Sequence, residues 1–155
     1  MAGECGGGKV VSLKDLGLKP GGCVKVKGDI LPNARTFRCD LGKDEDNLGL
    51  HFNPRFNYLG FHNVIVCNSR THGVWGKEQM DPNFPFKPDT SVEISITFEG
   101  QQFRVRMQND QEITFPNRLD LNQIDYVAIL ADINVRKVDF EGTLQSCQLQ
   151  ITLDY

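Results

Sequence analysis

The sequence predicts an all-β fold, a sandwich or barrel of antiparallel sheets, from three observations. Short runs of strand-forming residues recur at about ten-residue spacing with turn residues between them. Within the runs apolar and polar residues alternate, the pattern of a strand with one face in a core. No stretch of a dozen residues sustains the 3.6-residue period of an amphipathic helix.

The runs follow in order. Cys23 to Gly28 (CVKVKG) alternates, as does Thr36 to Leu41 (TFRCDL). An acidic turn, GKDEDN, leads into LGLHFNPRFN, Leu48 to Asn57. There Leu48, Leu50, Phe52, Pro54 and Phe56 fall on one face, and Gly49, His51, Asn53, Arg55 and Asn57 on the other, with Asn57, at the end of the run, read as a turn residue. Asn63 to Asn68 (NVIVCN) is β-branched and ends in an amide. Val92, Ile94, Ile96 and Phe98 line one face of SVEISITF, and Phe103, Val105 and Met107 one face of QFRVRM. EITF, YVAIL and INVRKVDF complete the central set, and only Asn117 to Asp125 has room for a helical turn. Beyond Phe140, Leu149, Ile151, Leu153 and Tyr155 alternate with Gln148, Gln150, Thr152 and Asp154, a further strand pattern.

The 155 residues suit one domain, with a Gly-rich tail over 1–9, a folded unit over 10–141 and a strand-like extension over 142–155. A chain of that length buries roughly 70% of its unfolded surface. A net charge of −3 with mixed signs argues against nucleic-acid binding, and no apolar run reaches membrane-spanning length, so membrane insertion is not expected. MAGECGGGK lacks the apolar core of a secretory signal. The five cysteines are odd in number and match neither a metal motif nor a disulfide framework, which predicts free thiols. Cys23, Cys39 and Cys67 lie in apolar runs and are expected to be buried; Cys5, in the tail, is the thiol open to oxidation.

The unusual feature is the polar face of LGLHFNPRFN, which carries an imidazole, two amides and a guanidinium in place of Thr, Lys or Glu. Asn68 follows, then HGVWGKEQ with the single tryptophan, Trp75, between Gly73 and Gly76, and Glu78 three residues on. Glycines beside Trp75 predict a loop that leaves the ring open. His, Asn, Arg and Glu are directional donors and acceptors, and an open indole is a flat apolar platform. A pyranose, with hydroxyls on its edge and, in galactose, C–H groups on one face, matches such a set, and Arg can donate to two adjacent oxygens at once. Three other readings compete. A glycosidase needs paired carboxylates, and only Glu78 lies within these motifs. His51, His62 and His72 lack metal-ligand spacing, so no metal or other cofactor is expected. His51 and Arg55 also suit a purely structural polar network.

HFNPRFN, VCNS, WGKEQ, FPF and FPNRL, in this order, resemble the galectins, calcium-independent β-galactoside-binding lectins, over Leu16 to Phe140. The prototype, single-domain members are the nearest in kind. The resemblance implies a two-sheet antiparallel β-sandwich of jelly-roll type. It implies that His51, Asn53 and Arg55 bind the axial 4-hydroxyl of galactose, that Asn68 and Glu78 bind the 6-hydroxyl and that Trp75 stacks on the ring. Arg55 and Glu78 match the residues that reach the 3-hydroxyl of the adjoining sugar. The expected partners are β-galactoside glycans on glycoproteins or glycolipids, of lactose or N-acetyllactosamine type. A homodimer that cross-links them, and residence in both cytoplasm and extracellular space through export without a signal peptide, are also implied.

The departures are local. Prototype galectins commonly carry His-Gly-Asp where this chain reads Leu59, Gly60, Phe61, and an Arg where it reads Met80. Each change replaces a polar group with an apolar one on the side of the second sugar, which predicts altered disaccharide preference, with weaker N-acetyllactosamine binding or a taste for apolar aglycones. The prototype chains end close to Phe140, and their terminal strands form the two-fold interface; the extension beyond it would extend, cover or replace that edge. The alternative function is a galectin-fold protein with altered or lost sugar binding, acting as a protein-interaction or structural module; enzyme activity is not expected.

Overall fold

A computed structural model describes residues 10–142 and 149–152, with side chains described through residue 142. The tail expected over 1–9 lies outside the described residues, as do Cys5, Cys147 and the last three positions of the chain. The strands in chain order are β1 (Val11–Leu13), β2 (Cys23–Ile30), β3 (Phe37–Asp44), β4 (Asn47–Tyr58), β5 (Phe61–Thr71), β6 (Val74–Trp75), β7 (Gln79–Asp81), β8 (Ser91–Phe98), β9 (Gln102–Arg106), β10 (Glu112–Pro116), β11 (Tyr126–Ala131), β12 (Ile133–Glu141) and β13 (Leu149–Thr152). A seven-stranded sheet runs β1-β11-β3-β4-β5-β6, with β7 also on β5; a six-stranded sheet runs β10-β9-β8-β2-β12-β13. These pairings are antiparallel. The all-β, two-sheet architecture is the one expected from the alternation.

The core lies between the sheets because each contributes one apolar face. Val24, Val26 and Ile30 of β2 and Ile94, Ile96 and Phe98 of β8 face Phe37, Cys39, Leu41, Leu50 and Phe52 in the same buried cluster. Each fully buried side chain of this size contributes about 1.5–3 kcal/mol. The segment Phe84-Pro85-Phe86 packs in edge-on, Phe86 against Phe37 at 5.5 Å between ring centroids and Phe84 against Phe56 at 5.1 Å.

Several local expectations are corrected. The alternation of LGLHFNPRFN breaks at an irregularity in the β4–β5 register between Leu48 and His51. A Cβ on Gly49 would meet the Phe103 ring at 2.8 Å, so Gly49 faces the core, whereas Leu48 is buried outside the core cluster. Asn57 stays in β4, paired with His62, and the turn is Leu59-Gly60, both at positive φ. Asn117 to Asp125 forms no helical turn. The Asn117 amide donates to the Gly100 and Leu121 carbonyls and accepts from the Leu121 amide, holding that segment open toward the Leu18–Ile124 bridge. A 3-10 turn occurs instead at Gln108–Asp110. Trp75 is not on a loop but in β6, paired with Arg70. Cys39 and Cys67 are buried as expected, but Cys23 is half-buried at the start of β2. Among the described residues no helix is long and apolar enough to cross a membrane.

Candidate functional site

The outer face of the seven-stranded sheet carries a row of side chains set by register. Ala128 of β11 pairs with Asp40 of β3, Asp40 with His51 of β4, and His51 with Asn68 of β5. Asn53 pairs with Val66, which pairs with Met80 of β7, and Thr36 bridges to Arg55. Strand alternation therefore puts His51, Asn53 and Arg55 in one column, with Asn68 one strand away. They line an open groove of about 510 Å³ together with Trp75, Gly76, Glu78 and Leu59. All six residues expected at the site meet in this groove.

The polar face of β4 is not the water-exposed surface its composition suggests. His51, Asn53 and Arg55 are only 6%, 3% and 7% exposed. Buried polar groups need partners, and these have them. His51 Nδ1 lies 2.7 Å from Asp40 Oδ1. A carboxylate only accepts, so Nδ1 carries the hydrogen, and Nε2 of the neutral ring is left as an acceptor. Both Asn53 amide hydrogens are used, by Thr36 Oγ1 at 2.7 Å and the Phe37 carbonyl at 2.8 Å, and its Oδ1 accepts from Arg55 Nε at 2.8 Å. The Arg55 guanidinium stands 4.8 Å from the Phe61 ring and 5.6 Å from Tyr58, and its Nη2 is 3.9 Å from Glu78 Oε2. Arg55 is thus flanked by two aromatic rings and one loose ion pair, with terminal N–H groups left for a ligand.

Asn68 is fixed from behind. Its Oδ1 accepts from the Ser69 amide at 2.8 Å and Arg118 Nη1 at 3.4 Å, and its Nδ2 donates to the Gly76 carbonyl at 3.0 Å, leaving one N–H free. Gly76 is required by close approach, since a Cβ there would meet Ser69 Oγ at 2.9 Å. The Trp75 ring lies 4.5 Å from the His51 ring, carries the Arg70 guanidinium at 5.0 Å and remains 42% exposed. Beneath the site, burial pushes the Cys39 thiol far up and the Cys67 thiol up to about 12, so neither serves as a nucleophile. Among the described residues, no group of three or more His, Cys, Asp or Glu side chains is placed to hold a metal ion.

Residues 10–140 match the family model of the galactoside-binding lectins. The chain is a galectin. It is 45% identical to mouse galectin-1 over 127 residues, 82% of this chain and 94% of that protein. It is 44% identical to a 16 kDa β-galactoside-binding lectin of chicken over 128 residues, 83% of this chain and 95% of that protein. Among solved structures, CG-16, a homodimeric agglutinin from chicken liver, superposes with a TM-score of 0.83 at 41% identity, covering 86% of this chain and all of that one. A toad ovary galectin in complex with thio-digalactose superposes at 0.82 with 34% identity, covering 85% and 98% of the two chains. This galectin is therefore a galactoside-binding lectin on a β-sandwich.

The departures of this galectin sit on one rim. Leu59 is 68% exposed at φ 51°, a left-handed conformation that bulky residues rarely adopt. Met80 is exposed on β7, and Phe61 lies against Arg55. Sequence reasoning missed Asp40 and Arg118, which hold His51 and Asn68. The signal for Asp40 was present, since alternation in TFRCDL puts Arg38 and Asp40 on the polar face beside β4; Arg118 reaches Asn68 across 50 positions and leaves no local trace.

Proposed function

We propose that the groove binds a terminal β-galactoside of lactose or N-acetyllactosamine type, without calcium, through the six residues carried over from the resemblance. The observation that supports this most is the fixed polarity at the centre of the groove. Arg55 offers free terminal N–H donors beside two acceptors, His51 Nε2 and the second lone pair of Asn53 Oδ1, whose first accepts from Arg55 Nε. An axial 4-hydroxyl, which donates once and accepts twice, matches that set. An equatorial one leaves buried groups unpaired at about 1–3 kcal/mol each. Asn68 keeps one N–H for the 6-hydroxyl beside Glu78, and Trp75 takes the C–H face. Among the described residues Glu78 is the one carboxylate lining the groove, which favours binding without glycosidic chemistry.

The second-sugar subsite reads as altered. With Phe61 and Tyr58 against Arg55 and with Leu59 and Met80 on the rim, a hydroxyl-rich second sugar finds fewer partners and an apolar aglycone finds more. The same apolar rim is what favours the alternative, a protein-interaction module. Two copies cross-link glycans as a dimer, as the homodimeric CG-16 suggests. Because β13 pairs along Lys137–Phe140 of β12, the outer edge at that end of the six-stranded sheet is β13, and the two-fold contact includes it. The protein works on cell-surface glycans after export from the cytosol without a signal peptide; export that persists when transport from the endoplasmic reticulum is blocked tests this.

Trp75→Ala and Arg55→Ala each abolish retention on immobilised lactose while the far-ultraviolet spectrum stays β-rich. Retention of either variant equal to that of the parent chain contradicts the assignment.

A further inference from the structure

Trp75, the platform of the proposed site, stands on a strand of only two residues. β6 is joined to β5 by the tight turn His72-Gly73, both at positive φ, with Thr71 paired to Val74 and Arg70 to Trp75. So short a hairpin is marginal by itself, and the segment joining β3 to β4 braces it. The Asn47 side-chain oxygen accepts from the His72 amide and the Asp46 carbonyl from the Gly73 amide, each at 2.9 Å. These bonds place the backbone of β6. They do not set the tilt of an indole that is 42% exposed.

Arg70 is the side chain that does. Its guanidinium lies over the Trp75 ring, 5.0 Å from the centroid. Trp75 lines the groove and Arg70 is not among the described residues that line it, so the cation covers the face of the indole turned away from the groove. Arg70 Nη1 donates to the Glu45 carbonyl at 3.3 Å, which ties the guanidinium to the same segment that braces the turn. Its Nε is buried without a hydrogen-bond partner, and the π face of Trp75 is the electron-rich surface that the guanidinium meets. A cation desolvated against an indole is held more firmly than one in water.

We propose that Arg70 is a positioning residue of the sugar site: its guanidinium, seated behind the Trp75 indole, holds the ring in the orientation in which its front face receives the C–H face of galactose. The inference rests on the stacking role proposed above for Trp75. Arg70 itself touches no part of the ligand. It acts on the share of molecules whose ring is already in place, and the apparent affinity scales with that share. Its charge is required, because an uncharged stem packs on the ring without being drawn to the π face.

The test compares the full chain with its Arg70→Lys variant, which keeps a cation, and with Arg70→Met and Arg70→Gln, which do not. Trp75 is the single tryptophan, so the time-resolved anisotropy of the indole emission, measured without sugar, reports the mobility of this ring alone. Calorimetry with lactose reports the affinity. In both neutral variants the ring becomes more mobile and lactose binds about two- to fivefold more weakly, the scale of a part-exposed cation–π contact. The Lys variant restores both. Lactose affinity unchanged or raised in the neutral variants, a weaker affinity with unaltered ring mobility, or a loss that the Lys variant fails to restore overturns the positioning role. Failure of the parent chain to bind lactose overturns the galactoside reading and the role with it, a failure distinguished from the others because ring mobility is measured without ligand.

Discussion

Asp40 shows how much of this site is decided by single buried contacts. Its carboxylate fixes which nitrogen of His51 is free, and thereby whether the groove presents a donor or an acceptor to a hydroxyl. Asp40→Ala leaves His51 Nδ1 buried without that partner, and the expected loss of stability is about 1–3 kcal/mol, measured by denaturant unfolding, together with weaker lactose binding. Leu59 makes the opposite case. Its side chain is exposed and its backbone is left-handed, so Leu59→Asn is expected to stabilise the chain by up to about 1 kcal/mol. Because the same change makes the rim polar, it also restores affinity for N-acetyllactosamine relative to aryl galactosides if the subsite is altered as proposed. The thiols follow from burial. A thiol raised to about 12, as at Cys67, stays protonated in the folded state well above the ordinary thiol range. Its contribution to stability is therefore complete below the unfolded value and is lost as pH rises from there toward 12. Cys39 and Cys67 are expected to resist an aromatic disulfide reagent at pH 8 until the chain is unfolded.

At the scale of elements, alternation made the long strands legible. β2, β8 and β9 follow their hydrophobic period, and the polar column of β4 stands where its sequence put it. What the sequence hid was whatever a strand receives from a distant one. The bulge in β4 that turns Gly49 inward depends on its register with β5, and the 3-10 turn at Gln108–Asp110 depends on Asn109 taking a left-handed conformation. The two residues of β6 are too few to show a period, so Trp75 read as a loop residue until Arg70 paired with it. Arg104, Arg106 and Glu112 of the β9–β10 hairpin and Glu99 of the β8–β9 turn form an exposed ion-pair network. Hydrogen bonds from Arg104 lower the Glu99 carboxyl, and those from Arg106 and then Arg104 lower that of Glu112. Depressed carboxyls contribute stability that is present above their unfolded values and lost as pH falls through the folded ones. Acidification is thus expected to speed amide exchange in β10 before β2. Similarly, a chain truncated after Gly142 lacks β13 and should lose exchange protection along Lys137–Phe140, with a change in sedimentation if β13 takes part in the two-fold contact.

The whole molecule divides its labour between two sheets. The six-stranded sheet supplies half of the core and the edge that β13 occupies, while the seven-stranded sheet turns its outer face into the groove. The groove was legible because recognition needs unusual side chains on an outward face, and these were visible as alternation. Its depth was not, because the burial of His51, Asn53 and Arg55 comes from Thr36, Phe37, Asp40 and Phe61, contributed by β5 and by the segment that runs into and along β3. Such a site binds weakly alone, and two copies on one surface gain through effective concentration. Calcium chelation is expected to leave agglutination unchanged. The central claim is that the groove reads the axial 4-hydroxyl of galactose. Calorimetric titration with lactose and with cellobiose, which differ in the configuration of that one carbon, tests it directly. The account predicts that lactose binds and that cellobiose produces no measurable heat at the same concentrations; equal binding of the two, or binding of neither, contradicts it.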